Sequence, residues 1–253
     1  MTAPTAPAVR PMGEDDPRQR LFRLFGDDAM ARLAGARVAV VGIGGVGSAC
    51  AEALARGAVG NLAFVDGDTV TPSNINRQAV AFLDTVGLPK VDVMAAIASQ
   101  VNPAARVDTF RRFVLSDEVA GLLDEMGPVD YLCDAVDSIA VKLALAGLAQ
   151  ERGIPLVSAM GGANKVHPER IRVASIWDTV NDPICRVVRK ECRKRGIRDL
   201  TVVFSDEHAV PVAMEPGTGR AERTNLGTAS FMPPAMGLAM AGKVIRDLTG
   251  VGE

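Results

Sequence analysis

A glycine-rich turn and the acids and cations behind it are the parts of this 253-residue chain with the clearest chemistry to offer. In "RVAVVGIGGVGSACAEAL", Gly42, Gly44 and Gly47 fit G-x-G-x-x-G between an apolar β-branched run and a helical stretch, with Gly45 as an additional glycine. Glycines at such a junction let backbone N–H groups approach a phosphate at a helix N-terminus. Asp66 closes the next apolar run about 20 residues on, where a carboxylate can accept from ribose hydroxyls. NAD and ATP fit this much equally well.

The stretch "VDGDTVTPSNINRQ" separates the two. A dehydrogenase has no use for Asp68, Asn74, Arg77 and Gln78 in close succession. A nucleoside triphosphate does, because Arg and Lys neutralise phosphates while Asn and Gln hydrogen-bond them. "GLPKVD" then puts Lys90 at a helix start, and "CDAVDS" ends a further strand in Asp134 and Asp137. The carboxyl ends of strands form the crevice of an open α/β sheet. A carboxylate there, facing a triphosphate, is a natural Mg²⁺ ligand. Asp134 is the expected ligand; Asp137 either joins the nucleotide site or caps the helix beginning at Ser138. The expected nucleotide set is therefore Gly42, Gly44, Gly45, Gly47, Asp66, Asp68, Asn74, Arg77, Gln78, Lys90, Asp134 and Asp137. Arg77, Lys90 and Asp134 are its catalytic members, and Gly45 leaves room for the triphosphate.

The elements that must position these residues alternate. A short helix "AMARLAGA" precedes the strand "RVAVVG", and "SACAEALARGAVG" is a helix closed by glycines. The strand "NLAFVDGD", the helix "LPKVDVMAAIASQVNP", the strand "RVDTF" and the helix "SDEVAGLLDEM" with a Ser116 cap follow. Then come the strand "VDYLCDAVD", the helix "SIAVKLALAGLAQERG" and the strand "IPLVSAM". This alternation predicts an α/β, Rossmann-like fold: a mostly parallel sheet with helices on both faces. After "GGANKVHPERIRVASIW" the rhythm breaks into a C-terminal extension. It comprises a helix "DPICRVVRKECRKRG", a strand "LTVVFSDE", a loop over 205–230 and a terminal helix "MPPAMGLAMAGKVIRDL". The expected organisation is a disordered tail over 1–17 and one domain over 18–253. A nucleotide core occupies about 36–160 and a substrate-side extension about 161–253.

Hydrophobic residues make up 48% of the chain, enough for a sizeable core, and no apolar run reaches membrane-spanning length. The N-terminus lacks the apolar segment of a secretory signal. Cys50, Cys133, Cys185 and Cys192 form no C-x-x-C, so neither a zinc ribbon nor a redox pair is indicated. Reduced thiols in a cytoplasmic protein are the expectation. Net charge is −2, yet Arg186, Arg189, Lys190, Arg193, Lys194 and Arg195 crowd into one helical stretch with a lone Glu191. That cluster is either a solvated face or a contact for a phosphate backbone. The same cations would lower the thiol pKa of Cys185 and Cys192.

Taken together, "GIGGVGS", "VDGDTVTPSNINRQ", "GLPKVD" and "CDAVDS" resemble the ubiquitin-activating-enzyme-like (ThiF/MoeB/HesA) adenylyltransferase superfamily over roughly residues 18–160. The resemblance implies ATP on the glycine loop and Asp66, phosphates on Asn74, Arg77 and Lys90, and Mg²⁺ on Asp134. It also implies a homodimer in which Arg77 reaches the partner's site. The shared reaction is attack of a carboxylate on the ATP α-phosphate. Further stretches, "RLFG", "IPLVSAMGGANKVHPERIRV", the "DP" before the basic helix and "VVFSDE", are similar to the bacterial tRNA threonylcarbamoyladenosine dehydratases. That branch implies adenylylation of the threonine carboxylate of a modified tRNA adenosine, followed by ring closure. It also brings a sulfurtransferase-type accessory protein into view and gives the basic helix a use in holding tRNA. The alternative is an adenylyltransferase activating the C-terminus of a ubiquitin-like or sulfur-carrier protein. The four-cysteine zinc site usual in those enzymes is missing, as is the cysteine some dehydratases carry before the terminal helix.

Overall fold

The computed structural model describes residues 15–213 and 226–252. Most of the expected tail and the middle of the expected 205–230 loop lie outside the described residues. Strands β1 (Arg37–Val41), β2 (Asn61–Val65), β3 (Arg106–Phe110), β4 (Tyr131–Asp134), β5 (Leu156–Ala159), β6 (Ile171–Ser175) and β7 (Thr201–Ser205) form one sheet in the order β3-β2-β1-β4-β5-β7-β6. Every neighbouring pair is parallel except β6–β7, which runs antiparallel.

The helices are α1 (Gln19–Gly35), α2 (Gly45–Arg56), α3 (Lys90–Val101), α4 (Val119–Met126), α5 (Ile139–Arg152), α6 (Pro183–Arg195) and α7 (Met232–Thr249). Alternate residues of β1 show how they share the sheet. Val38 and Val40 pack into the core built with α1, α2, α3 and α7, whereas Ala39 and Val41 face α4 and α5. A strand buried on both faces reads as an unbroken apolar run, which is why "VAVV" carries no alternation. Toward the other edge, Val202 and Phe204 meet α6 through Cys185, Val188 and Cys192.

Four local expectations change. Helix α1 is 17 residues long and bends where Gly26 takes φ 78°. Ser116 does not cap α4, whose N-cap is Glu118. The segment "IRVAS", not expected as a strand, forms β6 at the sheet edge, where one strand face is free to carry Arg172. The terminal helix packs on α2 as well as on the sheet. Gly237 makes this possible, because a Cβ there would lie 2.3 Å from the Val46 carbonyl oxygen.

The chain reverses direction of sheet growth between β1 and β4, the switch point at which open α/β sheets open a crevice. The C-terminal ends of β1, β2, β4 and β5 bring Gly42, Asp66, Asp134 and Met160 to that edge.

Candidate active site

The crevice floor is the glycine loop, and its geometry is set by contact with β4. Gly42 takes φ +92°, and a Cβ on it would lie 2.7 Å from the Ala135 carbonyl oxygen; one on Gly47 would overlap the Gly42 carbonyl oxygen at 1.7 Å. Helix α2 then begins without a side-chain cap. Its N-cap is Gly44, and Ser48, the hydroxyl in its first turn, accepts from the Ala79 N–H at 3.0 Å instead. An uncapped helix N-terminus presents N–H groups and positive dipole to an anion. Gly44 has open space where a Cβ would stand, whereas Gly45 lies against Pro233 of α7 at 2.8 Å and against the Arg77 stem at 3.4 Å. The smallness of Gly45 admits α7 and Arg77, and the loop has open space at Gly44.

Asp66 braces the loop. Its Oδ2 accepts from Ile43 N–H at 2.6 Å and its Oδ1 from Asp68 N–H at 2.8 Å. Each carboxylate oxygen retains a further lone pair for a hydroxyl donor. Asp68 in turn pairs with Lys90 at 2.9 Å, and the Lys90 N–H donates to the Asp68 carbonyl. The first residue of α3 thus holds a buried ammonium stem against the crevice rim. Phe113, 69% exposed, lies against the Gly67 backbone beside Asp66.

The other expected phosphate ligands divide. Arg77 donates to the Ser73 carbonyl at 2.8 Å and to Asn76 Oδ1 at 2.7 Å, with its stem beside Gly45. Asn74 is buried and turns Oδ1 toward its own turn, accepting the Thr71 N–H at 3.2 Å. Gln78 is buried too, and its Oε1 has no hydrogen-bond partner among the described residues. Arg77 and Gln78 line a groove of about 710 Å³ with Leu24, Phe25, Ile75 and Leu238, two of which, Leu24 and Leu238, are more than half exposed.

Asp134 departs most from expectation. It is fully buried, and its Oδ2 accepts from Lys142 Nζ at 3.1 Å and from Ser158 Oγ, while Oδ1 accepts from Val136 N–H at 3.1 Å. Both carboxylate oxygens are thus already engaged by protein donors. Asp137, three residues on, is exposed at the mouth of the crevice. It does not cap α5; Ser138 does, accepting from Val141 N–H. Among the described residues no three His, Cys, Asp or Glu side chains converge on a metal position. A Mg²⁺ ion needs no such cluster when one or two carboxylates share it with nucleotide phosphates and water, and Asp137 is the carboxylate whose exposure fits.

The expected substrate-side segment follows β5. Lys165, buried, pairs with Asp182 at 2.7 Å and donates to the Ser205 carbonyl at 3.0 Å. Asp182 also caps α6 by accepting the Cys185 N–H at 2.9 Å. Gly161 faces Ile184 in the first turn of α6, so the basic helix starts at the crevice. Asn164, at φ 58°, gathers Val210 and Gly227 through three hydrogen bonds of 2.7–2.8 Å. Along α6 the cations differ. Arg189 donates to the Thr179 carbonyl at 2.7 Å, Arg193 lies over the Trp177 ring at 5.2 Å, and Lys194 and Arg195 share Glu191. Arg186 and Lys190 are exposed one turn apart.

Both helix thiols are buried, contrary to the expected acidified pair. Burial pushes the Cys185 thiol up to about 12, aided by the Asp182 charge, and burial also raises Cys192. Lys142, Ser158, Lys165 and Asp182 were not singled out from sequence. A lysine inside the apolar run "IAVKLALA" is a signal of burial with a partner; Lys165 offered none.

The model of the ThiF family matches residues 17–253. The tRNA threonylcarbamoyladenosine dehydratase of Bacillus subtilis is 40% identical over 88% of this chain and 91% of that protein. The crystal structure of Escherichia coli tRNA N6-threonylcarbamoyladenosine dehydratase in complex with ATP superposes with a TM-score of 0.81 at 34% identity, covering 92% of this chain and 95% of that one. The molybdopterin-synthase adenylyltransferase of E. coli is 36% identical over 56% of this chain and 55% of its own length. With the family model matched over nearly the whole chain and a relative 40% identical, the chain belongs to the ThiF family.

Proposed function

We propose that this protein is an ATP-dependent tRNA threonylcarbamoyladenosine dehydratase. The observation that carries the reading is the extent of the likeness. Similarity to the dehydratases runs through the substrate-side wall, whereas similarity to the carrier-protein adenylyltransferase spans little more than half the chain.

The chemistry follows from the crevice. The uncapped α2 N-terminus holds phosphate oxygens, and Asp66 orients the ribose. A threonine carboxylate oxygen attacks the α-phosphorus; the bond to pyrophosphate breaks, giving an acyl-adenylate. Lys90, aimed by Asp68, and Arg77 stabilise charge on the departing pyrophosphate. The neighbouring carbamoyl group closes on the acyl carbon, and AMP leaves with the carboxylate oxygen that would otherwise depart as water. Proximity within the substrate drives that second step without an enzyme thiol, consistent with four buried cysteines. Mg²⁺ would be held by Asp137 and would neutralise phosphate charge.

Two copies of the chain are part of the reading. The apolar groove with exposed Leu24 and Leu238 is of the kind that pairs surfaces, and Arg77 at its margin is suited to reach the partner's nucleotide. Arg186 and Lys190, on a helix that starts at the crevice, offer contacts to the tRNA backbone. A tRNA substrate sets the activity in the cytoplasm, and among the described residues no helix is long and apolar enough to cross a membrane. A sulfurtransferase-type accessory protein is carried by the resemblance alone. The test is ATP–pyrophosphate exchange. Stimulation by tRNA bearing threonylcarbamoyladenosine supports the dehydratase, and stimulation only by a Gly-Gly-ended carrier protein supports the alternative.

A further inference from the structure

We infer that Lys142 and Ser158 are positioning residues: with Asp134 they form a buried brace that fixes the turn carrying Asp137. The inference rests on the nucleotide site proposed above, and goes beyond it by giving a task to a charge pair buried beneath that site.

The brace joins three elements at one point. Asp134 is the last residue of β4, Ser158 lies near the end of β5, and Lys142 sits in the first turn of α5. Lys142 Nζ donates to Asp134 Oδ2 at 3.1 Å and to the Ala159 carbonyl at 2.6 Å; Ser158 Oγ donates to the same Oδ2. Asp134 passes this fixation onward, because its Oδ1 holds the Val136 N–H at 3.1 Å. Val136 precedes Asp137, and Ala135 before it carries the carbonyl oxygen against which Gly42 packs. One carboxylate therefore sets both the turn of Asp137 and the surface under the glycine loop.

Stability does not explain the arrangement. All three residues are at least 97% buried. A buried ion pair gains little over a well-packed apolar trio, because desolvation offsets the attraction. What a charge-paired brace supplies is a single permitted rotamer at Asp134, and so a single position for the turn. Partners of this kind, one step removed from a ligand, typically carry a 10- to 100-fold effect on metal affinity.

The test is calorimetric titration of ATP, with and without Mg²⁺, into the full-length protein and two variants. Asp134→Asn with Lys142→Gln removes both charges and keeps an amide pair that can fold. The expected result is an unfolding temperature within a few degrees of wild type and a gain in ATP affinity on adding Mg²⁺ that shrinks by about tenfold or more. In pyrophosphate exchange, KM for Mg-ATP rises while KM for tRNA holds. If the double variant does not fold, Ser158→Ala, which deletes one hydroxyl, is read in the same way with an expected loss of about fivefold. A folded variant that keeps the full Mg²⁺-dependent gain overturns the inference and leaves the functional reading standing. A wild-type protein that does not bind ATP, or whose ATP affinity ignores Mg²⁺, overturns the underlying reading, and the inference falls with it.

Discussion

Two buried lysine–aspartate pairs anchor the segments that follow β4 and β5, and they hold different kinds of object. Asp134–Lys142 fixes a turn of a few residues at the end of β4. Lys165–Asp182 fixes the start of a 13-residue helix. The difference matches what each wall is proposed to bind. A triphosphate is gripped by backbone N–H groups and single charges, where a displacement of about 1 Å is costly. A tRNA backbone feels charges over a Debye length of about 8 Å, so α6 needs a direction more than an exact position. On that reading one fold contains a short-range and a long-range electrostatic device, each anchored by a buried ion pair.

The comparison breaks most violently on the substrate side. Lys165→Met leaves Asp182 charged and unpaired in the interior, and the expected loss is about 3–5 kcal/mol of stability. Denaturant unfolding measures it. Asp182→Asn in addition keeps an α6 cap and removes the stranded charge, so most of the loss is recovered. The recovered protein should bind ATP normally and tRNA less tightly; weakened ATP binding instead would show that the two walls are not separate devices.

Next in size are the cations at the nucleotide. Arg77→Ala and Lys90→Ala are each expected to slow pyrophosphate exchange by about 10²- to 10³-fold, with tRNA affinity unchanged. Mixing Arg77→Ala with an otherwise inactive Lys90→Ala chain sharpens the reading, because recovered activity in the mixture reports a site completed across the dimer.

The basic helix gives a smaller and more diffuse effect. Arg186→Glu with Lys190→Glu is expected to lower tRNA affinity and reduce the slope of log affinity against log salt by about 1.5. A filter-binding salt series checks this. Of the six cations on α6, these two are chosen because Arg189 holds the Thr179 carbonyl, Arg193 stacks on Trp177, and Lys194 and Arg195 are shared with Glu191. The smallest effect belongs to Cys185→Ala and Cys192→Ala. With both thiols buried and raised above their ordinary range, activity should stay within about twofold of wild type. A large loss would bring back a thioester route.

The two walls were also unequally legible. The parallel core announces itself through "VAVV" and "NLAFV" ending at glycine and aspartate, because strands buried on both faces leave apolar runs that stop at the crevice. The glycine loop and Asp66 at strand ends, and Lys90 at a helix start, follow from the local pattern. Asp134 ends a strand, as its spacing predicts, but its engagement by protein donors is not legible locally. Its burial depends on Lys142 and Ser158, eight and 24 residues away, and no local pattern reports that convergence. The contact of Gly45 with Pro233 is equally invisible locally, since Pro233 comes from the far end of the chain. On the substrate wall, β6 escaped notice because an edge strand with one wet face and an inserted arginine lacks the apolar run of its neighbours. Lys165 escaped because its partner is set by how α6 docks.

The most direct measurement incubates the purified protein with ATP, Mg²⁺ and tRNA bearing threonylcarbamoyladenosine, and then analyses the anticodon-loop nucleosides by mass spectrometry. The account predicts conversion of that nucleoside to a form lighter by one water, dependent on ATP and accompanied by AMP and pyrophosphate in equal amounts. An unchanged nucleoside, from a protein that nonetheless consumes ATP when offered a carrier-protein C-terminus, would contradict it.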